Sequence, residues 1–130
     1  MTITITLSET QARILRDAID LMHRLRLGQI DELRYCWPER VKAERMEEMQ
    51  QRLSVLKCFV FPELHGQGHS HGVGSPQLTQ DDQRMYEIYK VLDHALWLSR
   101  PDRPPHVVSG DDPYLLRYSG DPKIPFEVKP

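Results

Sequence analysis

MTITITLSETQARILRDAIDLMHRLRLG, residues 1–28, changes its hydrophobic period midway, and how that change is read decides the fold class. Through residues 2–7, threonines alternate with Ile3, Ile5 and Leu7, the period-two pattern of a strand with one apolar face. From Glu9 the apolar positions recur at helical spacing instead. Ala12, Leu15, Ile19 and Met22 share one face, which Ile14, Ala18, Leu21 and Leu25 widen. Ser8 stands three residues before Gln11, so each side chain can satisfy a backbone N–H of the other, which predicts a helix start at Glu9. Gly28 can adopt left-handed backbone without a Cβ clash and ends the helix, giving a span of 9–27.

A lone strand cannot satisfy its own donors and acceptors, so residues 2–7 need a partner. His106, Val107, Val108 and Ser109 offer one, and the two segments are expected to pair as a small antiparallel ribbon. Between them three more helices are expected. A short one spans residues 29–35, ahead of Pro38, which removes a donor and holds Trp37 out of helical geometry. A longer one follows from Glu39, with Val41, Met46, Met49, Leu53 and Leu56 on one side. The last begins where Thr79 and Asp82 mark an N-terminus and runs to Ser99 with Met85, Ile88, Leu92, Ala95 and Leu96 as its stripe. Leu15, Ile19, Met22, Leu53, Leu92 and Trp97 are expected among the least exposed side chains.

Seven of the ten prolines lie between Pro101 and Pro130. No helix survives that density, so residues 101–130 read as an extended arm, packed on its own domain or laid across a neighbour. The whole reading is a single α+β domain: residues 1–100 are mostly helical behind an N-terminal strand, and 101–130 form a Pro-rich arm of the same domain. Small domains bury a modest share of their surface and arms exchange readily, which makes a homodimer the expected state.

Seventeen Lys and Arg against nineteen Asp and Glu leave a net charge of -2. Nothing in that balance draws the chain to nucleic acid or an anionic membrane. Cys36 and Cys58 have no CxxC spacing, the start shows no secretory pattern, and a cytoplasmic setting with both thiols buried as small hydrophobes is expected. No apolar run is long enough to span a bilayer.

Chemistry-bearing residues are sparse. HGQGHSHGVGS, residues 65–75, holds three of the six histidines. His65, His69 and His71 could ligate Zn or Ni, and with a bound water could build a metal-dependent hydrolase. The interleaved glycines, and Glu63 as the one nearby carboxylate, favour a flexible polar loop with no cofactor. Arg13, Arg16 and Arg24 recur along one side of the first helix and could hold phosphates of a sequestered nucleotide. Their bland reading is a solvated face with an Arg16–Asp20 pair. Asp93 points away from His94 around the helix, so the two form no dyad, and no residue is assigned a catalytic role.

AIDLMHRLRLGQIDEL at 18–33, YEIYKVLDHALWLSRPDRPPHVVSGDDP at 86–113 and the closing GDPKIPFEV resemble a widespread family of small bacteriophage and prophage proteins. The matching places are Gly28-Gln29, Tyr89, Val91, His94 to Trp97, Asp112-Pro113 and Pro122 to Ile124, while residues 34–64 match poorly. The family has no settled activity, so the resemblance implies a genomic setting. It sets the leading expectation of a small accessory binding protein, non-enzymatic, acting on a host or defence protein.

Overall fold

The computed structural model describes residues 1–64, 68–103 and 112–130. The regular secondary structure of its described residues is helical, with three α-helices: α1 (Glu9–Arg26), α2 (Met46–Val60) and α3 (Gln80–Ser99). Short 3-10 helices at Ile30–Tyr35 and Ala43–Arg45 stand where the sequence predicted one short helix and the beginning of a long one.

The α+β expectation is overturned, because no strand occurs among the described residues. Residues 2–7 form no ladder, and Ile3 and Ile5 stay exposed. Alternation supplies an apolar face but not the second strand that would satisfy the backbone. The expected partner, residues 106–109, lies outside the described residues.

Helix boundaries follow local chemistry. The Ser8 N–H donates to Gln11 Oε1 at 2.9 Å, and the Gln11 N–H returns to Ser8 Oγ at 3.2 Å. The same reciprocal box opens α3, with the Thr79 N–H on Asp82 Oδ2 at 2.8 Å and the Asp82 N–H on Thr79 Oγ1. α1 closes with the Gln29 N–H on the Arg24 carbonyl and the Gly28 N–H on that of Leu25, the paired bonds of a left-handed helix stop. Gly28 has a φ of +96°, and a Cβ there would sit 2.4 Å from Leu64 Cδ1.

The chain divides into two compact units. Leu21–Leu78 is organised by Leu27, Ile30 and Leu53, buried together with His23 and Lys57. α2 packs chiefly on the 3-10 helix Ile30–Tyr35, whose Arg34 donates to Gln50 Oε1 at 3.0 Å. The other unit joins Met1–Asp20 to Thr79–Pro130 and buries Val91, Pro113, Ser119, Asp82 and Glu87. Its Arg16 and Asp93 are joined at 2.8 Å.

Burial departs from the sequence stripe in α1. Leu15 and Met22 are exposed and Ile19 is half-buried, while Leu53 is buried as expected and Leu92 and Trp97 are half-buried. Cys58 is exposed and Cys36 half-buried, each a free thiol, which corrects the expectation of two buried cysteines. Among the described residues, no helix is long and apolar enough to cross a membrane.

Candidate functional site

α3 presents Arg84, Glu87, Ile88 and Val91 at helical spacing, and the arm covers that face. The arm can do so because prolines hold it extended while its own polar groups fold it back. Tyr114 donates its hydroxyl to the Ile124 carbonyl at 2.5 Å, and the Tyr114 N–H is held by Asp112 Oδ1 at 2.8 Å. Asp121 clasps Arg84 through both carboxylate oxygens, at 2.7 and 3.1 Å, while Asp81 takes the remaining arm of the guanidinium at 2.8 Å. Farther along, Phe126 sets its ring edge-on to His94, 5.6 Å between centroids. Residues 112–126 of the arm therefore fold back on α3 of their own chain.

Between helix and arm lies a cleft of about 310 Å³. Its walls are apolar, from Ile88, Val91, Pro113, Tyr114 and Ile124. Arg117 and Lys123 bring positive charge to it, with Lys123 Nζ lying 5.1 Å from the centre of the Tyr114 ring. Glu87 is the buried polar residue of the lining, 8% exposed. Ser119 donates its hydroxyl to Glu87 Oε2 and in turn accepts the Asp121 N–H at 3.2 Å, which fixes the direction of both bonds. Glu87 Oε1 is buried and has no hydrogen-bond partner among the described residues.

Electrostatics at the mouth is set by the clasp. The Arg84 guanidinium holds the Asp121 carboxyl below the usual carboxylate range, chiefly through its hydrogen bonds, and Arg84 is pushed up in turn by Asp121 and Asp81. With Arg84 matched in this way, Glu87, Arg117 and Lys123 are the charges left for a ligand. A larger groove of about 760 Å³ in the same unit runs past Leu7, Leu15, Leu92 and Phe126, but no buried polar side chain lines it among the described residues.

The residues singled out from the sequence lie elsewhere. His71 is pinned: its N–H donates to the Leu27 carbonyl at 2.8 Å, its Nε2 meets Glu63 Oε1 at 2.9 Å, and Phe61 flanks the ring at 6.1 Å. The imidazole holds the Glu63 carboxyl below its ordinary range through that hydrogen bond. His69 is exposed, and its carbonyl accepts the Lys57 ammonium at 2.5 Å. His65 lies outside the described residues, and among those described no group of three His, Cys, Asp or Glu side chains is placed to hold a metal ion.

Arg13 is exposed, Arg16 is bonded to Asp93 and Asp17, and Arg24 reaches Gln29 Oε1 at 3.3 Å and Glu32 at 3.8 Å. Arg16 is thus committed to Asp93 and Asp17, where the sequence suggested Asp20. His94 stacks on Trp97 while Asp93 turns to Arg16, as their angular separation on the helix requires.

Glu87 escaped sequence reasoning because a glutamate in a helix reads as solvated. Its signal was register: it lies four residues before Val91, on the face that carries Ile88.

No family model matches this sequence, and neither a curated protein nor a solved structure matches the chain.

Proposed function

We propose that this chain is a small, non-catalytic binding protein whose recognition site is the cleft between α3 and the arm. The observation that supports it is Glu87, a buried carboxylate with one oxygen satisfied by Ser119 and the other without a partner among the described residues. Buried polar groups are nearly always hydrogen-bonded, and an exception calls for a reason, which at the wall of a cleft a bound ligand can supply. Apolar walls around one polar group are also the usual composition of a ligand pocket, and about 310 Å³ is at the small end of such pockets.

The resemblance to phage and prophage proteins adds a setting, the host cytoplasm, and a class of target, a host or defence component. Self-association belongs to the same reading. Val55 and Phe59, one turn apart on α2, are 72% and 85% exposed, an apolar face suited to a second copy.

Site-specific photocrosslinking tests the cleft. A photoreactive residue at position 117, beside the cleft, is compared with one at position 55 on α2, in cells that express the chain. Adducts from 117 that disappear with Glu87→Ala are expected. Adducts from 55 alone, or from 117 regardless of Glu87, would move recognition away from the cleft.

A further inference from the structure

We infer that the cleft takes a primary ammonium group on an unbranched apolar stem with a carboxylate alongside: a lysine side chain next to an acidic residue, or a free aminoalkanoate. This ligand class deepens the reading of the cleft as the recognition site and depends on it.

The head group follows from the hydrogen bonds of Glu87. Its Oε2 is occupied by the Ser119 hydroxyl, which is itself committed as acceptor to the Asp121 N–H, so Ser119 cannot turn away without losing both. One acceptor, Oε1, is left without a partner among the described residues. A guanidinium presents a planar fork that is matched by two carboxylate oxygens, whereas an ammonium is a compact donor that needs only one. A cation also offsets the cost of a buried carboxylate, which a neutral donor does less well. Oε1 is buried within a residue of the cleft wall, and the terminal torsion of a glutamate is soft, so rotation about it is the movement that would turn this oxygen to a guest.

The stem follows from the walls. Ile88, Val91 and Ile124 offer methyl and methylene surface, and Tyr114 offers an aromatic wall, with no buried polar side chain besides Glu87 among the described lining residues to meet a branched polar ligand. The companion charge follows from Arg117 and Lys123. These two cations have no ion-pair partner among the described residues; they disfavour a simple amine or a polyamine and attract a carboxylate held near the ammonium. Arg84 contributes little here, because Asp121 and Asp81 already hold it.

NMR titration of the full chain reads the site directly, through the amides of Glu87, Val91 and Ile124. With 6-aminohexanoate, saturable shifts at those amides are expected, with a Kd of about a millimolar, as for one charge-assisted bond and a short stem. Pentylamine, which lacks the carboxylate, and hexanoate, which lacks the ammonium, are each expected to bind at least about tenfold more weakly. The capped peptide acetyl-Glu-Lys-Glu-amide separates the two sources. Tighter binding than 6-aminohexanoate points to a lysine on a protein partner, and weaker binding points to a free aminoalkanoate.

Glu87→Gln should abolish the shifts. Should that variant unfold, Arg117→Ala on the exposed arm is the second reading, expected to weaken 6-aminohexanoate several-fold and to strengthen pentylamine modestly, since one repelling cation is gone. Hexanoate binding as well as 6-aminohexanoate, binding that survives Glu87→Gln in a folded protein, or no saturable shift with either the peptide or 6-aminohexanoate would overturn the ammonium class. Crosslinks from position 117 that persist alongside such a failure would leave the cleft as the recognition site and remove only the ligand chemistry.

Discussion

In the unit Leu21–Leu78, the buried Lys57 directs its ammonium to the carbonyl of His69, whereas in the other unit the buried Glu87 has one oxygen on Ser119 and the second with no partner among the described residues. Both are long charged side chains on amphipathic helices, and both are more than nine-tenths buried. The difference separates structure from site. Lys57 is spent on ordering a glycine-rich turn, which His71 secures further through the Leu27 carbonyl and Glu63. Glu87, at the wall of a cleft lined by α3 and the arm, has an acceptor without a partner among the described residues, which the proposed function assigns to a ligand.

If that contrast is right, the two charges respond oppositely to replacement by an apolar side chain of similar length. Lys57→Met is expected to destabilise by about 2 kcal/mol, since it strands a carbonyl that an ammonium had satisfied. Urea unfolding measures the loss, and hydrogen exchange should show the amides of residues 69–73 losing protection first. Glu87→Met is expected to stay within about 1 kcal/mol of the parent, because a half-satisfied buried carboxylate adds little stability. Equal losses in the two variants would erase the distinction and leave Glu87 a structural residue.

Gly28 tests the turn from its other side. Gly28→Ala places a Cβ at positive φ and against Leu64, and a loss of about 1 to 2 kcal/mol is expected from the backbone alone. Thermal unfolding measures it. A loss below a few tenths would mean that α1 can end there without the left-handed stop.

On the cleft side, Ser119→Ala removes the one donor that Glu87 has among the described residues, and a loss of about 1 kcal/mol is expected in the same urea experiment. Retained or improved affinity for 6-aminohexanoate should accompany it, since both carboxylate oxygens would then be open.

The smallest effect is a pH dependence of the arm. The Asp121 carboxyl is held below its ordinary value by Arg84, so the clasp contributes above about pH 4 and is lost as the pH falls through the lowered native value. Protection of the amides within residues 114–126, taken relative to their intrinsic exchange rates at each pH, should fall over that acid range, and Arg84→Gln should flatten the profile. An identical profile in Arg84→Gln would assign the acid response to another carboxylate.

What the sequence determined by itself was local. Ser8 with Gln11, Thr79 with Asp82, and Gly28 placed two helix starts and one helix stop, because capping chemistry acts over three or four residues and needs nothing from the rest of the chain. The separation of Asp93 from His94 was legible for the same reason, as a matter of angle around one helix. The alternation of residues 2–7 misled, since a strand exists only through a partner and period two says nothing about whether one is in reach. The broad stripe of α1 likewise did not say which of its residues would be covered, and Leu15 and Met22 were not.

The cleft was decided by tertiary structure alone. Glu87 and Ser119 are 32 residues apart, and Arg84 and Asp121 are 37 apart. Only the return of a proline-held arm onto α3 turns an unremarked helical glutamate into a buried acceptor, since burial and unmet hydrogen bonds depend on which distant segment comes to lie on which face.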